Sequence, residues 1–106
     1  MTTTVAVLLE GVFATTAGAN YTSKDSVTSI DKLTATNESA LITTVTAQLM
    51  SPDGSQVASY KKALSPGATW PFPEVVGHVL ADGGSLKMIC PADNSIRVRA
   101  SGRQFT

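Results

Sequence analysis

The residues able to do chemistry in this chain are few and far apart. His78 is the single histidine and Cys90 the single cysteine, so an intrachain structural zinc site lacks ligands. Cys90 stands between Ile89 and Pro91 in an apolar run, the setting of a buried structural thiol and not of a thiolate activated by a base. Serines are plentiful, yet no Gly-x-Ser-x-Gly occurs, and no obvious acid completes a triad with His78. His78 is expected to pair with Glu74, four residues earlier on a short helix. Asp25, Asp31, Asp53, Asp82 and Asp93 are scattered through turn regions without the spacing of a calcium loop, so they are read as turn formers. Gly83 and Gly84 follow the apolar stretch and do not precede a helix, so they make a turn and not a phosphate cradle. The chain is therefore expected to be non-enzymatic, with no catalytic residue, metal or cofactor.

Arg97, Arg99 and Arg103 form the one charge cluster. They alternate with Ile96, Val98 and Ala100, which places the arginines on a solvent or partner face, where they are solvated or bridge to acids of a neighbouring subunit. A nucleic-acid reader would add further basic residues and surface aromatics, and this chain has neither, so no nucleic-acid partner is expected. Asn20-Tyr-Thr and Asn37-Glu-Ser match the glycosylation sequon, which matters only in a secreted eukaryotic protein.

The elements that must position these residues belong to a small chain. With 106 residues it is expected to be a single domain, and at that size the hydrophobic core is thin. Charged residues are 15% of the total and the two signs balance, so there is little field to steer charged partners and little repulsion between copies. The start, MTTTVAVLLEGVFATTAGA, has an apolar core and small residues but no positive flank, and Glu10 interrupts it. It is not expected to be a cleaved signal. No apolar run approaches the roughly 20 residues of a membrane span, and no membrane partner is expected.

The alternation of Leu41, Thr43, Val45, Ala47 and Leu49 against Ile42, Thr44, Thr46, Gln48 and Met50 predicts a half-buried strand. The Ser51-Pro-Asp-Gly-Ser55 turn reverses it into QVASYKKAL as a hairpin. Strands are also predicted from Val5, Val7 and Leu9, from residues 26–36, and from LKMIC, which a turn at 91–95 pairs with IRVRASG in a second hairpin. Residues 14–26 read as a loop. Pro71 and Pro73 put Trp70 and Phe72 on an edge or leaving the sheet. Val75, Val76, Val79 and Leu80 then share one helical face, which predicts a short helix over about 73–81 closing an open end, with Trp70 and Phe72 as plugs. The fold class is all-β: an antiparallel β-sandwich or jelly-roll-like barrel with that one helix.

The succession of a Thr/Val strand, a Pro-Asp-Gly reversal, a Ser-Pro-Gly turn, then PEVVGHVLADGGSLKMIC and a strand ending Ala-Ser-Gly-Arg, over residues 40–103, resembles small structural proteins of tailed bacteriophages. The resemblance implies a virion component made in the bacterial cytoplasm, a β-sandwich that forms a symmetric homo-oligomer. Its expected role is capsid decoration, cementing the shell by binding the major capsid protein or another virion protein. A neck, tail or fibre component is the first alternative and a carbohydrate-binding module the second. The family offers no catalytic residue to transfer. Residues 1–9, apolar and β-prone, are the candidate partner-binding arm, through Val5, Val7 and Leu9. Trp70, Phe72, Glu74, Gly77 and His78, together with Arg97, Arg99 and Arg103, complete the candidate interface.

Overall fold

The computed structural model describes residues 2–106, so Met1 of the candidate arm lies outside the described residues. The strands are β1 (Thr3–Phe13), β2 (Ala19–Thr22), β3 (Val27–Asn37), β4 (Thr43–Met50), β5 (Gln56–Leu64), β6 (Thr69–Trp70), β7 (Val79–Leu80), β8 (Ser85–Ile89) and β9 (Ile96–Phe105). They form two antiparallel sheets. One has the order β1-β9-β3-β6, with β7 also on β3, and the other β2-β8-β4-β5. The chain is an all-β antiparallel β-sandwich.

Period-two alternation explains the core. Val45, Ala47 and Leu49 of β4 and Leu86 and Met88 of β8 face Ile30, Leu33 and Ala35 of β3 and Ile96, Val98 and Ala100 of β9, all buried. The β4–β5 hairpin pairs Thr43 with Leu64 through Leu49 with Ala58, and Gly54 takes the left-handed φ of 87° that its turn requires. β4 begins at Thr43, so Leu41 does not join the buried row and stands 75% exposed.

Three further readings of the sequence are corrected. β8 and β9 do not form a hairpin: they lie in different sheets, and residues 90–95 cross between them. Turn residues signal a reversal without saying which sheet receives the chain. Pro91 cannot donate to a ladder, and a second crossing at residues 14–16 takes up the neighbouring groups. There Cys90 N–H donates to Thr15 O, Ala14 N–H to Ile96 O, and Thr16 N–H to Asp93 Oδ1. Within the expected loop at 14–26, β2 pairs with β8 from Ala19 opposite Met88 to Thr22 opposite Ser85.

The third correction is the helix expected over 73–81. Residues 73–77 are successive turns, with Val75 N–H donating to Phe72 O and His78 N–H to Val75 O. A two-turn helix is marginal by itself, and the unpaired edge of β3 competes for the same backbone. Gly77 N–H donates to Ile30 O and Ile30 N–H to His78 O. Trp70 is opposite Ala35 and Val79 opposite Ser29, so residues 71–78 stand against the shorter segment 30–34. β6 and β7 are thus two ends of one interrupted edge strand. The extra residues fold inward and bury Phe72 and Val75 completely.

Phe72 does this at φ 44°, a left-handed conformation that is strained for a bulky residue, and Gly77 at 91° brings the chain back to β3. Of the two proposed plugs, Phe72 is the internal one. Trp70 stays half-buried, its Nε1–H donating to Glu74 Oε1 at 3.2 Å and its ring 4.2 Å from Lys62 Nζ.

Asn37 ties the other end together. Its Nδ2 donates to Leu41 O at 2.8 Å and Leu64 O at 2.9 Å, while Oδ1 accepts from Ser39 N–H and Oγ–H. Its own N–H donates to Ala68 O and its carbonyl accepts from Gly67 N–H. The sequon at 37–39 therefore has its amide buried and committed to the fold.

Replacing Phe72 by Ala is expected to cost about 3–5 kcal/mol in urea unfolding, from lost burial plus the cavity left behind. A loss of under about 1 kcal/mol would mean the segment is no plug. In the hairpin turn, the Ser51 hydroxyl first, then the Ser55 N–H and hydroxyl, hold the Asp53 carboxyl down to about 2 from 3.8. The folded value lies below the unfolded one, so the turn's contribution is complete above pH 3.8 and is lost as pH falls through 2. An NMR titration of the Asp53 carboxyl should find that depressed midpoint, and Ser51→Ala should raise it; a midpoint near 3.8 in the unmodified chain would contradict the geometry.

Candidate functional site

The sequence-predicted residues fall on the two flanks of the five-stranded sheet. On one flank β1 carries Val5, Val7 and Leu9, hydrogen-bonded along β9. Val5 is 82% exposed and Val7 is exposed too, but the register shifts between Val7 and Leu9, and that irregularity turns both Leu8 and Leu9 into the core. Leu9 therefore serves the fold. Residues 3–9 of the candidate arm form part of a strand, so what they offer a partner is an outward face and a free edge.

β9 presents Arg97, Arg99 and Arg103 outward between buried Ile96, Val98 and Ala100. Each arginine meets a carboxylate of a strand or turn beside it in its own chain. Arg97 Nε donates to Glu38 Oε2 at 2.8 Å, Arg99 Nε to Glu10 Oε1 at 3.2 Å, and Arg103 makes a two-nitrogen contact with Asp31 at 3.0 and 3.1 Å. The hydrogen bond to Asp31 and its charge raise the Arg103 pKa still further.

Arg97 does more than pair. Its Nη1 donates to Gly11 O at 2.6 Å, where β1 bends at φ 57°, and its guanidinium lies 4.4 Å from the Phe13 ring centroid. This face of the sheet carries the three paired arginines and exposed Lys32, interleaved with Val5, Val7 and half-buried Phe13 and Phe105.

The opposite flank holds Trp70, Glu74, Gly77 and His78. His78 does not pair with Glu74, which receives the Trp70 indole instead. Its Nε2 lies 3.5 Å from Tyr60 OH, and it lines a cleft of about 310 Å³ with Leu49, Met50, Pro52, Val57 and Leu80. Gly77 presents open space where a side chain would stand, and its φ of 91° makes glycine a backbone requirement there. The structure thus does not gather all the predicted residues into one surface.

Sequence reasoning missed the exposed apolar side chains at the strand ends. Leu41 and Ile42 (69% exposed) mark one end, Val57 (65%) and Val79 (60%) the other. The alternation that placed Leu41 inside ran past the true start of β4. Among the described residues no group of three or more His, Cys, Asp or Glu side chains could hold a metal ion. No described helix is long and apolar enough to cross a membrane.

Comparison with protein-family models, with curated proteins and with solved structures finds no match to this chain.

The two arginines at the Phe13 end separate geometry from charge. Arg97→Lys is expected to lower the unfolding free energy by about 1–2 kcal/mol, because an ammonium cannot serve Glu38, the Gly11 carbonyl and the Phe13 ring together. Arg99→Lys should stay within about 0.5 kcal/mol, as for an ordinary exposed pair. Urea titrations of both variants check this, and equal effects would refute the special place of Arg97.

Proposed function

We propose that this chain is a non-enzymatic structural protein of a bacteriophage virion, one that binds the major capsid protein and stabilises the shell as a decoration protein. The observation that carries the reading is the distribution of exposed apolar side chains. Val5 and Val7 lie along one flank, Leu41 and Ile42 at one end, and Val57 and Val79 at the other, on a molecule of 45 × 25 × 20 Å. Separate apolar contacts on an elongated body suit a protein that touches several neighbours at once, as a cement between shell subunits must. Near-zero net charge removes long-range repulsion from a crowded, repeating lattice of copies. Contact with partners would stabilise the thin-cored fold by mass action.

Quantitative mass spectrometry of purified virions of the encoding phage, measured against the major capsid protein, tests the proposal. A copy number near that of the capsid subunit is expected. A number far below it would replace decoration with a neck, tail or fibre role, and absence from the particle would overturn the virion reading.

A further inference from the structure

We infer that the free edge of β1 pairs with the same edge of a second copy, antiparallel about a two-fold axis centred on Val5. The backbone groups that β9 already uses define which side of β1 is free. Thr2 and Thr106 exchange both their N–H···O bonds, at 2.8 and 2.9 Å, and the register runs on regularly from Thr3 opposite Phe105 to Val7 opposite Ser101. In an antiparallel ladder such exchanging pairs alternate with pairs whose groups point away. Thr4 and Ala6 therefore bond to β9, while Thr3, Val5 and Val7 direct their N–H and C=O groups to the open side. β1 ends the strand order, so among the described residues no strand pairs with those groups.

The other edges are blunted. β5, the long edge of the second sheet, carries Lys61 and Lys62, a usual guard against edge pairing. β2 has four residues, and β6 and β7 have two each, split by the inward fold at Phe72. Only Thr3–Val7 is regular, uncharged, free of proline and backed by a long strand.

The occupant follows from self-complementarity. With Val5 opposite Val5 of the second copy, Thr3 falls opposite Val7, and these rows close about six backbone hydrogen bonds. The same two-fold makes the contact isologous and closed, so it gives a dimer and not a filament. Charge permits it: the only ionised residue on the strand is Glu10, and the two Glu10 positions would stand about 34 Å apart, several Debye lengths. Val5 and Val7 of both copies would then form one apolar row on the outer face, joining two five-stranded sheets edge to edge. The inference concerns the isolated chain and holds or fails separately from the virion role.

Sedimentation velocity of the purified chain tests it. A species of twice the 11.0 kDa chain mass is expected at concentrations up to about 100 µM, where even a weak interface is populated. Val5→Lys sets two like charges side by side across the axis while leaving the monomer's core untouched, so it should sediment as a monomer with unchanged circular dichroism. Val5→Pro removes an N–H that β9 does not use and should also be monomeric and folded, whereas Ala6→Pro breaks a bond to β9 and should unfold at lower urea. A wild-type monomer throughout that range, or a dimer that persists in Val5→Lys, would overturn the inference.

Discussion

One buried amide holds the two layers in register. Asn37 stands where β3 hands the chain to the second sheet and where the chain returns from β5 to the first, so two crossings meet at a single residue. Crossing segments leave the ladders and cannot satisfy their own backbone groups, and a buried unpaired carbonyl or N–H costs about 1–3 kcal/mol. An amide suits this place because it has two donors and a two-lone-pair acceptor in one plane. Its donors take carbonyls from both crossings, Leu41 and Leu64, and its acceptor fixes the Ser39 turn. A carboxylate would turn an oxygen on those carbonyls, and a leucine would leave them unpaired. The exposed Leu41 and Ile42 follow from this node, since a backbone drawn toward Asn37 cannot begin β4 any earlier.

At the opposite end of the long axis polar satisfaction is shared among hydroxyls. Ser23 Oγ reaches the Ser26 carbonyl and the Thr28 hydroxyl, and Tyr21 OH links Thr28 to Gln104 Nε2. This network joins β2 of one sheet to β3 and β9 of the other, and it leaves no buried side-chain polar atom unpaired among the described residues. Between the two ends, Gly102 lets β9 pass the irregularity of β3: a Cβ there would overlap the Ser29 carbonyl oxygen. The Ser-Gly step that contributed to the phage-like pattern thus has a steric reason in this chain.

What could be read from the sequence was what repeats locally. Alternation in β4 and β9 revealed the buried rows and the outward arginines, because a strand's period of two lies within a few consecutive residues. The hairpin at Pro52, Asp53 and Gly54 was legible for the same reason. The acids that neutralise those arginines were not, since Glu10 and Asp31 lie 89 and 72 residues from Arg99 and Arg103. The stretch from Trp70 to Leu80 misled because Val75, Val76, Val79 and Leu80 have helical spacing, whereas the inward fold of an interrupted strand buries only Val75 and Leu80 and leaves Val76 and Val79 exposed. Leu9 changed faces through an irregularity with no composition of its own. Of the candidate interface, the outward Val5, Val7 and arginines were readable, whereas the burial of Leu9 and Phe72 required the fold.

The position of β9 governs when this sheet can come into being. It lies between β1 and β3, far from both in sequence, so until β9 is made β1 has no partner strand and β3 has one side open. Pairing so remote in sequence slows folding, because loop-closure entropy is lost before the contacts form. The β4–β5 hairpin, by contrast, can close early. Local pairing thus favours the second sheet's hairpin ahead of the first sheet's centre, and β1 gains its partner strand only when β9 docks against it. Any contact on the open side of β1 therefore meets a settled edge only once β9 is in place, a dependence that follows from strand order alone.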